Sequence, residues 1–154
     1  SLLLISKIEN DQFQMCKEVD LQVVIEQIIS DFSEMLHHKN QKINFDAEHR
    51  TVKNVNPDLI YILFSNLIKN SIAHGQSGSE ISMKLTDENF VISNYSQSDS
   101  LQNEDIFERF QKIGNNPNSS GLGLSIAKST AEKLGFTLEY SFQNGQHYFT
   151  VKFN

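Results

Sequence analysis

A run of apolar residues at helical spacing in the middle of the chain constrains the fold more than any other feature. The run comprises Leu59, Ile60, Leu63, Phe64, Leu67, Ile68 and Ile72. Because these positions recur every three or four residues, they predict a helix that buries one face. Asn66, Asn70 and His74 follow one another at intervals of four, so they form a stripe along the edge of that face. Asn is unfavourable inside helices because its amide competes for the backbone. The stripe therefore indicates either two solvated amides or a binding site.

Elsewhere, three further stretches have helical spacing and the remaining apolar residues alternate. Asp20 is a good N-cap for a helix over residues 21–38, and a second helix is predicted to end at Gly135. Residues 2–10 have the pattern of the last turns of a helix. Alternation predicts hairpins over residues 80–94 and 136–153, the latter with an Asn144-Gly145 turn, and short strands at 43–45 and 51–53. Since strands group together, we predict an α+β fold: a two-layer sandwich of one mixed, mostly antiparallel sheet with helices on one face.

Composition excludes several classes of protein. A chain of 154 residues is expected to form one domain, and 13 basic against 19 acidic residues give a net charge of −6, which argues against a nucleic-acid surface. Cys16 is the only cysteine, so there is no disulfide framework, and a reducing compartment fits. No apolar run approaches the roughly 20 residues that span a bilayer. The chain opens with Ser1 rather than Met, so we expect it to be a piece of a longer protein.

Glycines precede the last predicted helix, in the stretch Gly121-Leu-Gly-Leu124. Glycines in this position can simply form a tight turn. Alternatively, the unpaired N–H groups and positive dipole end of the helix, approached closely past glycine, make an anion site. No Gly-Lys-Ser/Thr follows, so the motif is not a Walker A loop, and it follows a polar segment rather than the strand of a Rossmann fingerprint.

Together these motifs resemble the catalytic, ATP-binding (HATPase_c) domain of bacterial two-component sensor histidine kinases, in the superfamily shared with gyrase-type and Hsp90-type ATPases. The stretch Asn66-Leu-Ile-Lys-Asn-Ser-Ile-Ala-His74 resembles the N box of that family. Ile106-Phe-Glu-Arg-Phe110 resembles its F box, and Gly121-Leu-Gly-Leu124 its G2 box. The resemblance covers residues 13–154. Residues 1–12 are similar to the tail of the preceding dimerisation helix and its linker.

The resemblance implies a role for each matching residue in binding Mg²⁺ and the phosphates of ATP. Asn70 would offer its amide oxygen to Mg²⁺, a cation that prefers oxygen ligands, and Asn66 would face the same phosphates. Lys112, in a lid over residues 111–120, would lie near the β- or γ-phosphate. Gly121, Leu122, Gly123 and Leu124 would present backbone N–H groups to the phosphates.

The residues that would contact the adenine base depart from the family pattern. Asn94 stands where the family has the Asp of its G1 box, which holds the adenine amino group, and the glycines that follow it there are absent here. An Asn amide can still pair with an adenine edge, but the charge-assisted bond is lost, at a cost of about 1 kcal/mol. His74 stands where the family often has Tyr and can still stack on or near the base. We therefore expect weak binding, with adenine preferred over guanine.

The resemblance implies phosphoryl transfer rather than hydrolysis. Members that hydrolyse ATP carry a Glu at the position of Asn66, and an amide cannot take a proton from water. Catalysis would then rest on positioning and charge neutralisation by Asn66, Asn70 and Lys112. None of the five histidines has the sequence context of the family's acceptor, so we expect that histidine on an upstream dimerisation domain and the fragment to be inactive alone.

The resemblance also implies the setting of the domain. It would be the cytoplasmic domain of a membrane-anchored, homodimeric sensor that serves a response regulator indirectly. Two alternatives stay open. One is a degenerate regulatory module that binds nucleotide weakly or not at all. The other is a chaperone- or topoisomerase-type ATPase, which the missing Glu and the short chain disfavour.

Overall fold

A computed structural model describes residues 2–9, 15–96 and 123–154. In chain order, the elements are α1 (Leu2–Glu9), β1 (Lys17–Asp20), α2 (Leu21–Asp31), α3 (Ser33–His38), β2 (Lys42–Ala47), β3 (Val52–Val55), α4 (Pro57–His74), β4 (Glu80–Leu85), β5 (Asn89–Tyr95), α5 (Gly123–Leu134), β6 (Thr137–Gln143) and β7 (Gln146–Lys152).

Five strands form the main sheet, in the order β2-β4-β5-β7-β6. β2 pairs with β4 in parallel, and the other three pairs are antiparallel. Both predicted hairpins, β4–β5 and β6–β7, are confirmed. Asn144 and Gly145 have φ of 52° and 76°, as a type I′ turn requires at both central positions. The predicted α+β fold with a mixed, mostly antiparallel sheet is therefore confirmed.

A second, two-stranded sheet corrects the expectation of a single sheet. β1 and β3 pair with each other in antiparallel orientation, with Val19 opposite Lys53, and do not join the main sheet. Segments of four residues carry too little apolar pattern to specify a partner strand, so their pairing depends on tertiary packing.

The core lies between one face of the sheet and helices α2, α4 and α5. Sheet residues on this face include Ile81, Met83, Leu85, Phe90, Ile92, Phe149 and Val151, which are all buried. Phe64 of α4 packs against Phe90 with ring centroids 4.9 Å apart. On the opposite face, Asn44, Ser82, Lys84 and Tyr148 are exposed or partly exposed and, with neighbouring residues, line a shallow groove of about 440 Å³. The helices therefore lie on one face, as predicted.

Side chains cap the helices that frame the core. Asp20 accepts hydrogen bonds from the backbone N–H groups of Gln22 and Val23, which confirms the predicted start of α2. Asn56 caps α4 in the same way, and Pro57 is its first residue. α5 ends at Leu134 and is followed, as predicted, by Gly135, whose φ is 76°.

The single helix predicted over residues 21–38 is instead two helices. Phe32 has φ −98° and ψ 14°, outside the helical region, so α2 ends before it and α3 begins after it. The apolar spacing continues across this one-residue break and therefore does not reveal it.

The helix expected over residues 2–10 is α1, which packs outside the main core. Ile5 is 1% exposed and forms a separate apolar cluster with Leu59 of α4 and Ile126 of α5. Within residues 2–9, 15–96 and 123–154, the longest helix is too polar to be a candidate for crossing a membrane, and the others are too short.

Candidate functional site

The polar stripe of α4 lies beside the start of α5. Asn66, Asn70 and His74 are partly buried along one edge of α4. Asn66 donates from Nδ2 to the carbonyl of Ile62, at 2.7 Å, which fixes the orientation of its carboxamide. Its Oδ1 lies 3.6 Å from where a Cβ on Gly123 would be. The structure thus brings the carboxamide of Asn66 and the glycine that begins α5 into contact distance.

Several predicted site residues lie outside the described residues. These are Lys112, Gly121 and Leu122, together with the F box and the lid segment. Of the glycine motif, the structure describes Gly123, which is partly exposed, and Leu124, which is buried in the core. The roles expected of these residues therefore stay predictions.

Lys39 holds the other end of α4. Its ammonium group donates to the carbonyls of Ile72, Ala73 and Gly75, at 2.6, 3.0 and 2.7 Å. These are among the carbonyls that a helix C-terminus leaves unpaired, and a cation there also suits the helix dipole. Burial lowers the pKa of Lys39 from its ordinary value.

The surroundings of His74, beside this cap, favour its neutral form. Its pKa is lowered chiefly by burial and further by the charges of Lys39 and His147. The lowered pKa favours the uncharged ring, which can stack or hydrogen-bond without bringing a positive charge to its surroundings.

Asn94 lies on β5 close to the end of α4. It is 2% exposed, and its Nδ2 donates to the carbonyl of Tyr95 at 3.4 Å. Directly opposite it on β7 is His147, which is also buried and whose Nδ1 shares a 2.8 Å hydrogen bond with the hydroxyl of Tyr140. His74 and Asn94, which the resemblance assigns to the base, therefore lie at the same end of α4.

Gly75 marks the close approach between α4 and β5. A Cβ at this position would lie 2.5 Å from the carbonyl oxygen of Ser71, 2.7 Å from Nε2 of Gln41 and 3.6 Å from Cβ of Asn94. The backbone N–H of Gln76 then bonds to the carbonyl of Tyr95, at 2.8 Å, and ties the loop to the strand. Only glycine fits this point without moving the backbone or the Gln41 amide.

Two buried side-chain oxygens, one of Gln41 and one of Ser71, have no hydrogen-bond partner in the described part of the chain. They are Oε1 of Gln41 and Oγ of Ser71. A buried polar group without a partner costs about 1–3 kcal/mol, so such atoms call for a water molecule or a ligand.

Sequence reasoning missed four polar residues at this end of α4: Lys39, Gln41, Ser71 and His147. Two of them carried a signal. Ser71 follows Leu67 by four residues and so falls on the buried face of α4, and His147 precedes the buried Phe149 by two residues and so faces inward from β7. The long-range contacts of Lys39 and Gln41 have no local signature.

Comparison with known proteins identifies the family. A family profile described as "Histidine kinase-, DNA gyrase B-, and HSP90-like ATPase" matches residues 55–154. The heme sensor protein HssS of Staphylococcus saprophyticus is 32% identical over 160 residues, which cover 99% of this chain and 35% of that protein. HssS of Staphylococcus aureus strain JH9 is 30% identical over 151 residues, which cover 93% of this chain and 32% of that protein. The chain thus spans about a third of the length of these relatives.

Solved structures share the fold. The histidine kinase AdeS of Acinetobacter baumannii matches 98% of this chain and 73% of its own, with a TM-score of 0.75 and 23% identity. Full-length ShkA in complex with AMPPNP matches 98% of this chain and 34% of its own, with a TM-score of 0.80 and 16% identity. The solved structures have the same fold, and because the family profile covers most of the chain, the chain belongs to the histidine kinase-, DNA gyrase B- and HSP90-like ATPase family.

Proposed function

We propose that this domain binds Mg²⁺-ATP between α4 and the start of α5 and delivers the γ-phosphate to a histidine on an upstream dimerisation domain. The observation that carries this proposal is the 3.6 Å between Oδ1 of Asn66 and the Cβ position of Gly123. A helix N-terminus attracts phosphate through its free N–H groups and dipole, and an amide oxygen suits Mg²⁺. Both lie at this one edge. The structure of ShkA in complex with AMPPNP, which has the same fold, supports the assignment to a nucleotide.

Each site residue then has a physical role. Asn70, one turn beyond Asn66 on the same edge of α4, would hold Mg²⁺, which screens the charge on the phosphates when bound. Asn66 would bond to a phosphate oxygen. The backbone N–H groups of residues 121–124 and the ammonium group of Lys112 would complete the phosphate contacts.

The base would lie at the far end of α4. The buried amide of Asn94 offers one donor and one acceptor, which matches the N1 and N6 edge of adenine. The neutral ring of His74 would pack on or beside the base. The distance from Asn66 to His74 is two helical turns, about 12 Å, which is the scale of a nucleotide.

Transfer to histidine is favoured over hydrolysis by the side chain at position 66. An amide cannot accept a proton from an attacking water molecule, whereas a neutral imidazole on another domain needs no base to attack phosphorus. What the residues of this chain supply is therefore orientation of the γ-phosphate and neutralisation of charge.

A titration with Mg²⁺-ADP and a non-hydrolysable ATP analogue tests nucleotide binding. We expect Asn70→Ala to weaken Mg²⁺-dependent binding at least tenfold, while Asn44→Ala, on the opposite face of the sheet, leaves it unchanged. If the unchanged domain does not bind nucleotide, the second candidate function, a regulatory module, is supported instead. That candidate is favoured by Asn94, which stands where the family has a carboxylate.

Trans-phosphorylation tests the transfer step. The domain is expected to phosphorylate a separately made dimerisation domain from the same protein but not itself. Asn66→Glu is expected to add slow, steady ATP hydrolysis, because a carboxylate can activate water. An Asn66→Glu domain that retains binding yet gains no hydrolysis would refute the role assigned to this position.

The remaining expectations concern the full-length protein. We propose that residues 1–12 are the tail of the dimerisation helix and its linker, and that residues 13–154 are the catalytic domain. We also propose that the full-length protein is a membrane-anchored homodimeric sensor with this domain in the cytoplasm; two relatives of this chain are named as heme sensors. Its phosphohistidine would then supply a response regulator.

A further inference from the structure

The ammonium group of Lys39 is fully engaged by the end of α4. It donates to the carbonyls of Ile72, Ala73 and Gly75, at 2.6, 3.0 and 2.7 Å. A lysine ammonium has three N–H groups and a carbonyl oxygen only accepts, so each N–H has one acceptor. Lys39 therefore has no donor left for a ligand, and any part it plays in a site is exerted through the turn that it holds.

The backbone of Lys39 is itself fixed. Its N–H donates to the carbonyl of Met35 in α3, at 3.2 Å, and its carbonyl accepts from the N–H of Gly78, at 3.0 Å. Asn40, which follows it, has a left-handed φ of 52°, as is common just after a helix end. Lys39 thus joins three segments: the end of α3, the last turn of α4 and the loop that follows α4.

The three carbonyls bracket His74. Two of them belong to the residues directly before it and the third to Gly75 directly after it, so the backbone is held on both sides of this ring. The same loop is tied to β5 by the bond from the N–H of Gln76 to the carbonyl of Tyr95, at 2.8 Å. The contacts of Lys39 therefore fix where His74 stands relative to β5.

The charge of Lys39 also acts on the His74 ring. Burial is the largest cause that lowers the pKa of His74, followed by the charge of Lys39 and then by His147. Lys39 acts from the turn between α3 and β2, and His147 acts from β7; within residues 2–9, 15–96 and 123–154, these are the titratable groups that shift the pKa of this ring. Because a second positive charge beside an ammonium group is unfavourable, Lys39 favours the uncharged ring.

We propose that Lys39 is a positioning residue of the nucleotide site, which holds the last turn of α4 and its His74 ring in the arrangement that receives the base, without touching the nucleotide itself. This inference rests on the proposed function, since it requires that a nucleotide bind with its base at this end of α4. Loss of the ammonium group would free His74 to move, whereas Asn66 and the start of α5, two helical turns away, would keep their arrangement.

Titration of the whole chain with two probes separates positioning from general stability. The probes are Mg²⁺-ATP and Mg²⁺-tripolyphosphate, which lacks the base. Lys39→Met removes the ammonium group and keeps the apolar stem, and Lys42→Met, at an exposed lysine three positions along, is the control. We expect Lys39→Met to weaken ATP binding about three- to tenfold and to leave tripolyphosphate binding unchanged, and Lys42→Met to change neither.

Two results of this titration would overturn the inference and leave the proposed function intact. One is an ATP affinity of Lys39→Met within twofold of that of Lys42→Met. The other is an equal loss of affinity for both probes, which would show general damage to the fold. If the unchanged chain binds neither probe, the proposed function fails as well.

A double-mutant cycle tests whether Lys39 acts through His74. His74→Ala alone is expected to weaken ATP binding by a similar factor, and Lys39→Met added to it is expected to cost less than a further twofold. The full loss from Lys39→Met in the His74→Ala background would show a route that does not involve His74 and would overturn the inference. NMR titration gives a spectroscopic readout: the pKa of His74 should be higher in Lys39→Met than in Lys42→Met, and equal values would also overturn it.

Lys39→Arg decides the question if the methionine variant does not fold. The guanidinium group retains the charge and the N–H donors, but its rigid planar fork cannot direct three donors at carbonyls that converge on one point. We therefore expect a folded chain whose ATP affinity is about threefold weaker and whose tripolyphosphate affinity is unchanged. An ATP affinity of Lys39→Arg equal to that of the unchanged chain would overturn the positioning role.

Discussion

Replacement of Lys39 by Met would remove the cap at the end of α4 while keeping the apolar stem of the side chain. The ammonium group donates to three carbonyls at 2.6–3.0 Å, which belong to Ile72, Ala73 and Gly75. In the variant these carbonyls lose their donor, and the negative end of the helix dipole loses its compensating charge. The perturbation is therefore confined to the turn that carries His74.

The magnitude follows from these bonds. A hydrogen bond from a charged donor contributes about 1.5–3 kcal/mol to the free energy of unfolding. The three share one ammonium group that is partly exposed, and water can replace it in the variant. We therefore expect a total loss of about 2–3 kcal/mol rather than the sum. For a domain of this size, that loss lowers the unfolding midpoint by roughly 5–10 °C.

Urea denaturation of the Lys39→Met chain measures this loss. The matched control is Lys42→Met, which removes an exposed lysine three positions along and is expected to cost less than about 0.5 kcal/mol. An NMR titration adds an independent readout, because loss of the Lys39 charge is expected to raise the pKa of His74. Equal stability of the two variants would refute the capping role.

Three further predictions concern neighbouring features. Gly75→Ala places a Cβ 2.5 Å from the carbonyl oxygen of Ser71, so we expect a loss of about 2 kcal/mol or more by chemical denaturation, and unchanged stability would contradict the close approach. The pKa of His74 is lowered in the folded chain from its ordinary value of 6.5. As the pH is lowered, His74 therefore takes up a proton in the unfolded chain at a higher pH than in the folded chain. The free energy of unfolding should therefore decrease as the pH is lowered below 6.5, and should decrease less in His74→Gln. If it depended equally on pH in both chains, His74 would not be the cause. Ile5→Ala should increase hydrogen exchange in α1 but not in α4, since Ile5 anchors α1 from outside the main core, and unaltered exchange in α1 would disprove that anchoring.

Much of the fold could be predicted because it follows from local chemistry. The Asp20 cap, the Asn144-Gly145 turn and the glycine at position 135 each act within a few residues of where they stand in the chain. The apolar spacing that begins at Leu59 also gave α4 and its buried face correctly, since a helix repeats its environment every turn.

What could not be predicted depends on contacts between distant parts of the chain. The parallel pairing of β2 with β4, in which Ile43 lies opposite Ile81, joins segments that are separated by α4, and no turn chemistry specifies it. The hydrogen bond from Lys39 to the carbonyl of Ile72 joins residues that are 33 positions apart in the chain. Of the candidate site, the α4 stripe could be located from its spacing, but the polar contacts around Gly75 arise only when residues 39–41 fold against the end of α4.

The polar outer face of the main sheet has a consequence for how sequences of this fold diverge. Residues such as Asn44, Ser82, Lys84 and Tyr148 contribute little to the apolar core, so their replacement costs little folding free energy. Drift on that surface is therefore nearly neutral, which helps to explain how chains that are 16–23% identical retain TM-scores of 0.75–0.80. A lineage can acquire or discard a binding partner there without altering the opposite side of the sheet, where α4 and α5 meet.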